Sequence, residues 1–198
     1  MFRNSICATL CMGFAMSVAL AQKTQAPQNV QLPPDVPMFS AADLASKVPP
    51  PKSEDVKSRD AVLHAIYDVI SGPAGTRDWN RFHSLFLPQA RFKEVSTGPD
   101  GGKSIMTWNV DEFVRDAGQV FAKDPFYEKA IVNRVESFGD VSQVFSSYES
   151  RRSPADKPFE RGINSIQLLN DGKRWWVLSI LWDTERKGNP LPVRFSHQ

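Results

Sequence analysis

The stretch Ile166-Gln167-Leu168-Leu169-Asn170-Asp171-Gly172-Lys173-Arg174-Trp175-Trp176-Val177-Leu178-Ser179-Ile180 decides the fold. Two apolar, alternating runs meet at Asn170-Asp171-Gly172, residue types that accept the backbone angles of a tight hairpin turn. Outward from this hairpin the same period of two continues. Glu128 to Ser137, Val141 to Arg152, Phe159 to Leu169 and Trp175 to Thr184 read as four successive strands. Gly139-Asp140 and the loop from Pro154 to Pro158 supply the other two turns, so the carboxy-terminal half predicts an antiparallel meander.

Before Pro125 the period is helical. Val62, Ile66, Val69 and Ile70, with Leu63 and Tyr67 beside them, form one apolar stripe, and Ser71-Gly72-Pro73 with Gly75 ends it. Asp78 is placed to cap a second, shorter helix carrying Trp79, Phe82, His83 and Phe86, with Pro88 as its stop. Ala90 to Ser96 alternates as a strand, and Gly98 to Gly102 is a loop. Asn109 with Glu112 three residues on predicts a capping box, opening a third helix with Phe113, Val114, Ala117, Val120 and Phe121. Helices first and a meander after them is an α+β pattern: three amino-terminal helices packed on a curved antiparallel sheet.

The chain of 198 residues holds more than this domain needs. Arg3 begins a leader whose Ile6 to Leu20 is apolar or small, and Val18-Ala19-Leu20-Ala21 offers a cleavage site before Gln22. Residues 1–21 therefore read as a signal peptide; the run is too short to span a bilayer comfortably, so no membrane insertion is expected after cleavage. Leu10 before Cys11 makes a poor lipidation site. The protein is expected in the periplasm or outside the cell. Residues 22–53 carry Pro27, Pro33, Pro34, Pro37, Pro49, Pro50 and Pro51, which predict an extended tail with at most a helical turn at Asp43 to Val48. Met38-Phe39 offers an apolar pair for docking. The domain is assigned to residues 54–187 and a short tail to residues 188–198.

Both cysteines, Cys7 and Cys11, lie in the leader, leaving the mature chain without a disulfide or thiolate. Cleavage removes Arg3 and no acid, so the formal charge falls from +2 to +1. Such a balance provides no electrostatic case for nucleic acid or an anionic membrane.

The order helix, short helix, strand, helix, then meander resembles the NTF2-like (SnoaL-like) superfamily. The likeness is carried by Phe82-His83-Ser84-Leu85-Phe86-Leu87-Pro88-Gln89-Ala90-Arg91-Phe92, by Phe138-Gly139-Asp140-Val141-Ser142-Gln143-Val144-Phe145, and by Gly162 through Trp176. It covers about residues 55–185. The resemblance implies a cone-shaped pocket between helices and sheet, often a homodimer, and no particular reaction. Ketosteroid isomerase, laid on this chain by those phrases, places its base at Glu94, its tyrosine at Tyr67 and its acidic donor at Asn164. Glutamate and asparagine there replace aspartate and an acid, so steroid isomerisation itself is not expected.

The residues bear a chemical reading of their own. Glu94 alternates with Phe92 and Ala90, and a carboxylate on the apolar side of a strand has its pKa raised, as a general base requires. Tyr67 sits in the apolar stripe, where its hydroxyl needs a partner. Asn164 shares a face with Ile166 and Leu168 and can donate to a developing oxyanion. Each also has a structural alternative: a core tyrosine, a glutamate meeting Arg91 or Lys103, an asparagine satisfying a bulge.

His83, Phe92, Phe145, Glu149, Ile166, Leu168, Trp176, Leu178 and Ile180 are expected to line the pocket, with Tyr148 the competitor of Glu149 for the inner face. Trp175, Trp176, Leu178, Ile180 and Trp182 make a strand apolar on both faces, whose outer face a second copy or the proline-rich tail would cover. His64, His83 and His197 lack metal-ligand spacing, and there is neither a glycine-rich phosphate loop nor a serine elbow; no metal and no cofactor are expected. The function class that remains is the binding of a small, largely apolar ligand, with an isomerase, cyclase or dehydratase, or an envelope interaction module, as alternatives.

Overall fold

The computed structural model describes residues 38–196. The segment expected to be a signal peptide, both cysteines, most of the proline-rich tail and His197 lie outside the described residues. Ser40 and Asp43 form a reciprocal capping box that starts α1 (Ala41–Ala45), two residues ahead of the expected turn. Met38 and Phe39 are exposed rather than docked. A single turn, α2 (Ser53–Val56), precedes α3 (Arg59–Ile70), whose cap is the Ser58 hydroxyl accepting from the Ala61 amide at 3.1 Å.

The stripe on α3 is buried as its spacing requires. Past Ile70 the backbone turns extended at Ser71, and Gly72 exchanges two backbone hydrogen bonds with Phe126. Arg77, almost fully buried, ties this corner together by donating to the carbonyls of Ile70, Gly72, Pro73 and Gly75. Asp78 then caps α4 (Trp79–Leu85) as predicted.

The next strand begins earlier than expected. Helix α4 stops at Leu85, and β1 runs Phe86–Thr97, through Pro88. Proline is tolerated because the pairing register shifts between Phe86 and Arg91, where no ladder bond is asked of it. After the Gly98–Gly102 loop the chain forms β2 (Lys103–Trp108), which pattern reading leaves unassigned. Ile105 and Met106 are both exposed on this edge strand, so no alternation betrays it. The Asn109–Glu112 capping box opens α5 (Val110–Phe121).

The meander follows with ends close to those expected: β3 (Tyr127–Phe138), β4 (Val141–Arg151), β5 (Glu160–Asn170) and β6 (Trp175–Thr184). The sheet order is β2-β1-β6-β5-β4-β3. Every neighbouring pair is antiparallel except β1 and β6, so the curved sheet is mixed rather than wholly antiparallel. The parallel pair arises because the β1–β2 hairpin joins the meander beside its last strand. The core lies between the sheet and α3, α4 and α5, and rings from Phe82, Phe86, Phe92 and Phe113 pack within it at 4.4–5.9 Å.

The candidate site: a cavity with an acidic end

A cavity of about 340 Å³ opens between α3, α4 and α5 on one side and the concave face of the sheet on the other. Its walls are mainly aromatic and aliphatic: Phe82, Phe92, Phe113, Ile66, Ile180 and the stacked pair Trp108–Trp182, whose rings lie 5.9 Å apart and 9° from parallel. Its polar groups gather at the sheet, where Glu94, Glu128, Tyr148, Glu160 and Asn164 all face in.

Sheet register brings these groups together. Glu94 on β1 stands opposite Trp182 on β6, and Trp182 opposite Asn164 on β5. Asn164 in turn pairs with Ser146, while Ser150 lies between Glu128 and Glu160. Alternation does the rest, since residues two apart share a face. Ser146, Tyr148 and Ser150 are fully or almost fully buried on β4.

The polar contacts are sparse. Ser150 donates to Glu128 at 2.8 Å, and the Tyr148 hydroxyl donates to Glu160 at 3.1 Å. Burial pushes the Glu128 carboxyl up to about 7; the nearby charge of Glu160 adds to this, and the Ser150 and Asn164 side chains oppose it. Burial likewise raises Glu94, with Glu160 again contributing. Burial and three surrounding carboxylates raise the Tyr148 phenol. Among the described residues, no lysine, arginine or histidine lines the cavity.

Tyr67 and Asn164 meet as the sequence suggested, but in a sealed position. Asn164 Nδ2 donates to the Tyr67 hydroxyl at 3.2 Å, and that hydroxyl shares a 2.5 Å hydrogen bond with Ser146. Tyr67 is buried behind Asn164 rather than lining the cavity, and burial raises its phenol. Asn164 itself reaches the cavity, as do Glu94, Phe92 and Ile180.

Other expected lining residues lie elsewhere. Glu149 points away from the cavity, because Tyr148 occupies the inner face of β4; Lys129 at 3.2 Å and Arg151 at 2.7 Å hold it. Burial raises its carboxyl, but these two cations outweigh it and leave the pKa lowered. Phe145, on the same outer side, is 45 % exposed and leans against Phe195. His83 belongs to a separate surface groove with its Nε2 3.5 Å from Asp111. Ile166 and Leu168 are core residues buried beyond the cavity's reach. Leu178 is the extra residue of a bulge, since Gln167 pairs with Ser179 and Leu168 with Val177. That bulge breaks the alternation that would have carried Trp176 and Leu178 to the wall beside Ile180. Trp176 is instead fully buried under the Arg174 guanidinium, with its indole N–H on Asp171.

Glu128 and Glu160 are the groups that sequence reading missed. Each lies at the start of its strand, where a glutamate is ordinary, and only cross-strand register places them in one cavity.

No protein-family model matches the chain, and no curated protein matches it in sequence. Solved structures resemble it in backbone course. A proposed dehydratase of the NTF2-like family from Streptomyces avermitilis is 13% identical with a TM-score of 0.49, the match covering 67% of this chain and 96% of that one. A proposed ketosteroid isomerase from Parabacteroides distasonis is 11% identical with a TM-score of 0.44, over 64% of this chain and 87% of that one. An NTF2-like protein of unknown function from Silicibacter pomeroyi is 13% identical with a TM-score of 0.45, over 64% and 92%. In the course of its backbone the chain is similar to NTF2-like proteins, and the likeness is one of fold that brings no activity with it.

Proposed function

We propose that this protein binds a small molecule with a largely apolar body in the cavity between helices and sheet. One observation carries the reading: a cavity of about 340 Å³ with aromatic walls and a few convergent polar groups at one end. That is the usual make-up of a small-molecule site, in which apolar area supplies affinity and polar groups fix orientation. The leader at residues 1–21 supports placing this activity outside the inner membrane. Exposed Phe145 and Leu181 support the companion expectation that a second copy or the amino-terminal segment covers the outer face of the sheet.

The test is saturable quenching of tryptophan fluorescence by 1-naphthalenemethanol, a neutral flat probe that would lie against Trp108 and Trp182. An Ala117→Phe variant, which places a ring in the cavity, should abolish it. Quenching that is unsaturable, or unchanged in that variant, overturns the reading.

A second reading rests on Glu128. A carboxyl with a pKa of about 7, near the phenol of Tyr148 and the amide of Asn164, is suited to moving a proton next to a carbonyl. Glu94 is the other candidate base, and Asn164 the donor to the oxygen. Deuterium exchange at the α-carbon of a cyclic ketone, read by proton NMR, tests it; exchange no faster than in buffer counts against it.

A further inference from the structure

We infer that the cavity's ligand is an organic cation: a protonated amine on a flat apolar body, with its ammonium at the glutamate end. The inference rests on the small-molecule reading above and names the class of ligand.

The polar end is rich in acceptors and poor in free donors. Glu94 has no hydrogen-bond partner among the described residues, and neither Glu128 nor Glu160 has a cationic one: Glu128 faces the Ser150 hydroxyl and the Asn164 amide, and Glu160 accepts from Tyr148. Asn164, 92% buried since its relative exposure is 8%, turns its two amide N–H donors towards Tyr67 and Glu128 and leaves its Oδ1 without a donor among the described residues. The Tyr148 hydroxyl is already committed to Glu160. Asp116 at the rim is the exception, being held by Arg115 and the Trp108 indole N–H. A neutral or anionic polar group placed here would find few donors. An ammonium brings three N–H donors and no acceptor, which is what the site lacks. Its charge would also relieve the mutual repulsion of the carboxylates.

A metal ion fits less well. Among the described residues no three acidic, histidine or cysteine side chains stand close enough to hold one. Glutamates that surround a space without converging on a point suit a larger cation. The parallel rings of Trp108 and Trp182 provide the wall for the ligand's flat portion and a π face for its charge.

The experiment compares 1-naphthylmethylamine with 1-naphthalenemethanol on the full chain at pH 8, by calorimetry. The two share a ring system and differ in charge. The amine should bind at least about tenfold more tightly. In Glu94→Gln/Glu160→Gln, shown to be folded by its circular dichroism, that ratio should fall severalfold, with Glu128 left as the remaining anion. Equal or weaker binding of the amine to the natural chain overturns the cation inference and leaves the apolar-ligand reading standing. So does a preference that both substitutions leave undiminished. Binding of neither probe overturns both.

Discussion

Tyr148 crosses directly over Gly162: a Cβ at position 162 would stand 2.7 Å from the phenol oxygen and 2.5 Å from the backbone oxygen of Asp183. Glycine is needed here for space, and that space lets the Tyr148 hydroxyl reach Glu160 on the same strand as Gly162. Gly162→Ala should therefore cost about 2 kcal/mol, the scale of overpacking a core, because the Asp183 backbone cannot give way. Denaturant unfolding measures it; a cost within error of zero would show that the sheet tolerates the methyl group.

Glu128 makes stability fall as pH rises. Its carboxyl holds a proton up to about 7 in the folded protein against an ordinary value of 4.5, so the folded state binds that proton more tightly than the unfolded chain does. The resulting contribution is fully present below pH 4.5 and is lost as pH climbs through 7. Glu128→Gln keeps the neutral form throughout. It should match the natural protein in acid and exceed it at pH 8 by on the order of 2 kcal/mol, allowing for the water the open cavity admits. Unfolding curves at pH 4 and pH 8 decide the matter, and a variant no more stable at pH 8 contradicts it.

Arg81 joins α2, α3 and α4 through carboxylates. It bonds Asp55 at 2.7 and 2.9 Å and Asp68 at 2.5 Å, and the Asp55 side chain is only 7% exposed. The hydrogen bonds from Arg81 hold the Asp55 carboxyl below its ordinary range, although burial opposes them. Stability from this group is present above the ordinary aspartate value and is lost as pH falls through the lowered one. Asp55→Ala leaves the guanidinium with a vacant site and should cost about 3 kcal/mol. The double variant with Arg81→Met should recover part of that loss in thermal unfolding; no recovery would mean that Arg81 and Asp55 act separately.

Glu149 provides the control for the cavity. It lies on the outer side with Lys129 and Arg151, so Glu149→Gln should leave naphthyl-probe affinity unchanged. Its effect on stability should stay below about 1 kcal/mol, as for a partly exposed ion pair. A change in probe affinity would place the ligand on the other face of the sheet.

Local chemistry was legible in the chain without its fold. The Asn170-Asp171-Gly172 turn, the Asp78 cap and the Asn109–Glu112 capping box depend on neighbours a few residues away, and all stand where the sequence puts them. The meander followed from alternation, most plainly in β4 and β5, whose inner residues are buried. Glu94 and Asn164 were legible for the same reason, each sharing a strand face with apolar neighbours.

Only the tertiary structure decided what required pairing between distant segments. Strand β2 is an exposed edge, so its existence depends on β1 offering it hydrogen bonds. The bulge at Leu178 turns half of β6 out of phase, and a period of two cannot announce its own interruption. Nothing local separates Glu149 from Tyr148 as the inner residue of β4; the cations beside one and the space above Gly162 beside the other do. Glu128 and Glu160 lie 32 residues apart in sequence and meet through Ser150. The sequence by itself therefore determined most of the elements and the apolar side of most strands, since those follow from burial within each segment. Register, which no segment carries alone, made the acidic end of the cavity.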